Sequence, residues 1–140
     1  MRYIGKLALN IGIYAVIVVG MLYGLPRFLS WYLDTPYPMA AITSGSMWPV
    51  LNEGDLVFIE GVAREQLQVG NIVVWRNENG FTIHRVVKLE IDTLITKGDA
   101  NFSEDEPVKY ADVVGRVHQF LGRDARLPYF GMITVYASKN

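Results

Sequence analysis

The 140-residue chain has no cysteine and only two histidines, His84 and His118. The first absence removes disulfides, thiolate metal sites and a cysteine nucleophile together. The second leaves two imidazoles far apart and without ligand spacing, so no metal site is expected. No run of Lys or Arg occurs, the formal net charge is −1 and the pI is near 6.1. That balance argues against a nucleic-acid partner, whose phosphates demand a basic face. There is no internal repeat and no low-complexity segment, the length suits one domain, and nothing calls for a cofactor.

Charge is also missing from residues 7–26, where the chain reads as a continuous apolar stretch. Twenty residues in a helix cover ~30 Å, the thickness of a bilayer's hydrocarbon core. A transmembrane helix over Leu7–Pro26 is the reading. A cleaved signal peptide would have a shorter apolar region, and an all-round apolar soluble helix would need a larger protein around it. Arg2, Lys6 and the amino terminus precede the span and Arg27 follows it. The positive-inside bias therefore keeps the N-terminus cytoplasmic and the rest extracytoplasmic, across a cell membrane or in the endoplasmic reticulum. Phe28–Leu33 reads as an interfacial anchor. The expected organisation is a membrane anchor over 1–27, an interfacial segment over 28–37 and a β-rich domain over 38–140.

That domain is expected to be mainly β, a small sandwich or barrel. Short Val- and Ile-rich runs at Met39–Ile42, Leu56–Glu60, Ile72–Arg76, Thr82–Leu89, Thr93–Thr96 and Val113–Leu121 predict strands, with turn residues between them. Asn79-Gly80 signals a hairpin with a loop longer than two residues. Val62–Leu67 reads as a helical turn. Leu127–Ala137, broken by Pro128 and Gly131, reads as a last strand or a flap against the membrane.

One turn carries chemistry: Thr43-Ser44-Gly45-Ser46-Met47-Trp48-Pro49. A glycine-softened turn can push a serine hydroxyl outward and aim N–H groups at one point, as an acyl-transfer site needs, although serines in turns also simply bond their own backbone. His84 in a strand, Asp99 after Gly98 and Asp105 six residues later complete a Ser/His/Asp set. Taken singly, these also suit a half-buried strand histidine, an Asx turn and a solvated acidic run.

Ser44-Gly45-Ser46-Met47-x-Pro49, Gly54-Asp55, His84-Arg85-Val86-Val87 and Lys97-Gly98-Asp99 resemble, in order and approximate spacing, the boxes of type I signal peptidases. Leu127–Thr134 resembles the C-terminal segment of the endoplasmic-reticulum and archaeal branch, so the likeness covers nearly the whole chain. Most bacterial members carry a lysine base where His84 stands, which again points to that branch. The resemblance implies a membrane-bound serine endopeptidase that removes signal peptides from preproteins at Ala-x-Ala sites, alone or with accessory subunits. It implies Ser46 as nucleophile, His84 as base, and the Ser44 hydroxyl with the Ser46 N–H as oxyanion donors. Asp105 then completes the triad and Asp99 supports the structure around Ser46. Where the family often has Asn directly after the first aspartate, this chain has Ala100 and then Asn101, and the His84–Asp99 interval is short. Pro38, Met39, Ala40, Ala41 and Ile42 are the expected substrate wall, offering backbone for strand addition. Two rivals remain open from the residues: a Ser46 site with Lys88 or Lys97 as base, and a non-catalytic anchored module.

Overall fold

The computed structural model describes residues 2–138; Met1, Lys139 and Asn140, which the expected domains include, lie outside the described residues. The chain opens with helix α1 (Arg2–Val19), a π turn over Gly20–Gly24, and helix α2 (Leu25–Tyr32). Gly5–Tyr32 is thus one apolar helix of 28 residues, long enough to cross a membrane. It does not stop at Pro26. Proline lacks an N–H and its ring crowds the carbonyl one turn back, but Pro26 stands in the first turn of α2, where both defects are tolerated. The wider turn before it, in which Leu25 N–H reaches Gly20 O, absorbs the change.

Beyond Leu33 the chain is mainly antiparallel sheet. The strands are β1 (Met39–Ala41), β2 (Leu56–Glu60), β3 (Ile72–Asn77), β4 (Gly80–Leu89), β5 (Thr93–Lys97), β6 (Val108–Lys109) and β7 (Val113–Val117). A hairpin of β8 (Gln119–Phe120) and β9 (Arg123–Asp124) follows, then β10 (Arg126–Leu127). The main sheet runs β1-β2-β7-β3-β4-β5-β6, with β10 also on β2. Strand periodicity divides the core. Ile72 and Val73 are neighbours that a strand points to opposite faces; the first joins Ile42, Met47, Leu51, Val57 and Val117, the second Leu67, Val86, Leu94 and Val108.

Four local expectations change. Asn77 pairs with Gly80, so the β3–β4 loop has two residues, Glu78 and Asn79; the Asn77 side chain caps it, accepting Asn79 N–H at 2.8 Å. The expected strand over Val113–Leu121 splits at His118 into β7 and β8, and it stops at Phe120 because Leu121 and Gly122 both take positive φ and form the hairpin tip. Only Arg64–Gln66 of Val62–Leu67 is helical, as a 3-10 turn. After Gly131 no breaker remains in Leu127–Ala137, and Met132–Ser138 forms helix α3 rather than a strand. It is seated by Val135, 3% exposed, and by Met132 over Gly54, whose φ of +90° a side chain would resist.

The sheet grips the end of the long helix. Gly61 N–H donates to Leu33 O at 2.7 Å and Ile59 N–H to Pro38 O at 3.0 Å, while Leu33 and Thr35 are buried. Next to this junction Glu60 accepts Arg116 Nε at 2.6 Å and also bonds His118 Nδ1. Burial pushes the Glu60 carboxyl up, but the bonds from His118 and Arg116 outweigh it and hold it below the ordinary value of 4.5. A depressed carboxylate contributes stability that is present above its unfolded pKa and lost as pH falls through the folded one. Glu60→Gln should therefore melt below wild type at neutral pH, and the two curves should converge in acid. A gap that stays constant into acid would remove Glu60 as its source.

Candidate active site

Ser46 stands in the turn after β1, where Ser46 O accepts Ala100 N–H at 2.9 Å. That carbonyl is packed so closely on Gly98 that a Cβ there would lie 2.7 Å from it. The glycine is what lets the Lys97-Gly98-Asp99 turn back the nucleophile's main chain. Buried Met47 and Leu51 fix the other side.

His84 lies on β4 opposite Val73 of β3. The β4–β5 ladder starts one residue later, at Arg85↔Lys97. The chain then leaves β5, loops, and returns with Asp105 N–H donating to Thr96 O at 2.8 Å. The structure thereby brings three of the sequence-derived residues into line. Ser46 Oγ is 3.2 Å from His84 Nε2, and His84 Nδ1 is 2.6 Å from Asp105 Oδ2. A carboxylate only accepts, so Nδ1 carries the hydrogen and the bare Nε2 accepts from Ser46. With the Ser46 proton committed, the Ser44 hydroxyl, 3.2 Å away, donates to Ser46 Oγ. His84 is 8% exposed, so its orientation is held by packing as well as by Asp105.

Asp99 is not part of this line. Its carboxylate takes Arg85 Nε at 2.8 Å and Nη2 at 2.7 Å, a two-pronged pair, and Arg85 Nη1 adds Gly70 O at 2.9 Å. The bond to Asp99 raises the already high pKa of Arg85 against the opposing effect of burial. The expected support of Asp99 for the structure around Ser46 comes through its neighbour, since Ala100 N–H bonds Ser46 O, while the Asp99 side chain turns to Arg85, the residue after His84. Lys88 points to solvent and pairs with Glu90 at 2.6 Å, a bond that raises the lysine pKa and so disfavours a neutral amine. Among the described residues no group of three His, Asp or Glu could hold a metal ion.

Sequence reasoning missed Thr96. It is fully buried and its Oγ1 donates to Asp105 Oδ2 at 2.6 Å, the same oxygen that faces His84. A threonine in a Val/Ile-rich strand carries no signal of its own; only the register, Thr96 opposite Val86, turns it toward the histidine's strand.

An open cleft of about 500 Å³ leads to Ser46 and His84. One wall is Met39–Ile42; Pro38 does not line it, being buried with its carbonyl bonded into β2. The other wall is residues 81–84 of β4, and Asn101 lies beside the serine. β1 pairs only with β2, and residues 80–84 pair only with β3. Among the described residues, both walls therefore present a strand edge without a second strand partner.

The Peptidase S24-like family model matches residues 3–117. The signal peptidase complex catalytic subunit SEC11C of Homo sapiens is 34% identical over 113 residues, which are 70% of this chain and 56% of that protein. The chain thus spans little more than half the length of that relative. The SEC11 subunits of Fusarium vanettenii and Lachancea thermotolerans are 30% and 31% identical, over 80% of this chain and 70% and 73% of theirs. With the serine turn, the strand histidine and the Lys97-Gly98-Asp99 turn assembled around one cleft, this chain belongs to the Peptidase S24-like family, among its type I signal peptidases of the endoplasmic-reticulum branch.

Proposed function

We propose that the chain is a membrane-anchored serine endopeptidase that removes signal peptides from preproteins. The observation that carries this reading is the hydrogen-bonded line Ser44–Ser46–His84–Asp105 at one end of a cleft between two free strand edges. Substrate adds as an extended strand along Met39–Ile42 and 81–84, its main chain satisfied by those edges. As Ser46 Oγ attacks the scissile carbonyl, His84 Nε2 takes the hydroxyl proton, and Asp105 stabilises the imidazolium through Nδ1–H. The Ser44 hydroxyl, released from Ser46, turns to the oxyanion beside the Ser46 N–H. The same imidazole returns its proton to the leaving amine, and water repeats the cycle on the acyl-enzyme. Gly5–Tyr32 crosses the bilayer with the N-terminus cytoplasmic, keeping enzyme and substrate on one surface and raising their effective concentration. The names of the relatives support accessory subunits beside a catalytic chain.

The test is incubation of the detergent-solubilised chain with labelled preprotein. A new N-terminus directly after Ala-x-Ala is expected; an intact preprotein would sink the proposal. In the same assay Ser44→Ala should lose roughly 10²–10³ in kcat, since one oxyanion donor remains. Undiminished kcat would remove Ser44 from that role.

A further inference from the structure

The cleft has a second end. Opposite Ser46 and His84 it is lined by Tyr37 and Phe81, whose rings meet at 5.1 Å between centroids with a 57° tilt. Both are substantially exposed, at 42% and 50%. The Arg76 guanidinium sits 5.7 Å from the Phe81 ring centroid and steadies it from the neighbouring strand. Two half-exposed rings held in a fixed mutual angle at the mouth of a cleft form an apolar seat for one further side chain.

Resting on the proposed endopeptidase function, we propose that Tyr37 and Phe81 form a substrate subsite for an apolar side chain about four or five residues before the cut, a spacing set by ~3.3 Å per extended residue. Phe81 lies three positions from His84 along β4, and Tyr37 lies five before Ile42 on the other wall. The polarity of the bound peptide follows from the chain's own path. Tyr37 lies within the segment 33–38, whose Leu33 and Pro38 carbonyls accept from Gly61 and Ile59 N–H, so this end of the cleft faces the junction with the membrane helix. Ser46 lies at the far end. In a substrate whose apolar segment is held in the bilayer, the part before the cut arrives from the membrane side and passes Tyr37 and Phe81 first. Small residues next to the cut are read at the serine end; the aromatic pair reads the tail of the apolar segment.

The experiment uses the full chain in detergent with two peptides that share Ala-x-Ala and differ only in the fourth and fifth residues before the cut, Leu-Leu or Ser-Ser. Wild type is expected to favour Leu-Leu by about tenfold in kcat/KM, as one well-seated apolar side chain warrants. In Phe81→Ala and in Tyr37→Ser that ratio should fall toward one. A matched pair with Leu-Leu or Ser-Ser after the cut should show no such ratio. A wild-type ratio near one, a ratio unchanged in both variants, or a preference appearing on the far side of the cut would each overturn the subsite. Binding of the same fluorescent peptides to Ser46→Ala, read by anisotropy, separates the two proposals. A retained Leu-Leu preference in binding without any cleavage by wild type would keep the subsite and discard the peptidase.

Discussion

Ser46→Ala is expected to release no mature protein from a preprotein that wild type processes, with a loss of the order of 10⁶ in kcat. The size follows from what the oxygen does. It forms the new bond to the scissile carbonyl carbon from which the peptide amine leaves, and neither the Ser44 hydroxyl nor the imidazole can replace it. The fold should not register the change. Ser46 is partly exposed and its main-chain carbonyl, not its hydroxyl, carries the contacts to Gly98 and Ala100. Among the described residues its hydroxyl hydrogen-bonds only Ser44 and His84, so stability should stay within about 0.5 kcal/mol of wild type. Sustained turnover by a folded Ser46→Ala protein, measured as new N-termini, would exclude a serine mechanism.

The second large effect separates the two aspartates. Asp105→Asn should fold and lose about 10⁴ in kcat, because an amide facing Nδ1 leaves the ring in the wrong tautomer with little change in geometry. Thr96 sharpens the expectation: it already donates to Asp105 Oδ2, so an Asn that turns its amide nitrogen there sets two donors against each other. Asp99→Asn breaks a different object, the two-pronged Arg85 pair behind His84. Arg85 is partly buried and would keep Gly70 O but lose the fork. A fall in melting temperature should therefore accompany its loss of activity, as for a partly buried charge left without its partner. Melting curves beside preprotein assays distinguish the cases. A folded, inactive Asp99→Asn next to an active Asp105→Asn would exchange the roles.

How far these features were legible depends on the range over which each is determined. The long helix and β2, β3 and β5 follow from runs of consecutive residues, so composition and alternation sufficed to find them; the strand ends are off by at most one residue, while the helix continues six residues past its expected end, to Tyr32. Where two signals competed locally, the sequence misled. Pro26 reads as a stop, yet the Gly20–Gly24 turn supplies the slack that lets the helix continue. Leu121 reads as strand, yet with Gly122 it makes the hairpin tip. Pro128 and Gly131 break the C-terminal run but leave seven helical residues beyond them. Ser46, His84 and Asp105 could be nominated because their chemistry is unusual for their surroundings. Thr96, Tyr37 and Phe81 could not, since a threonine or an aromatic in a strand or beside one is commonplace. What distinguishes them is register across β4–β5 and a contact between Tyr37 and β4, and neither is written in a local stretch.

The grip of β2 on residues 33–38 has a mechanical consequence. With Pro38 bonded to β2 and Leu33 to Gly61, the residue directly after it, the last turn of the helix and the first wall of the cleft cannot slide against each other. The serine then stands at a set height from the helix end, so the proposed peptidase is expected to work as a gauge: each bound chain would be cut at one contour length from the helix end, and the small residues flanking the cut would only choose among the bonds that fall within that reach.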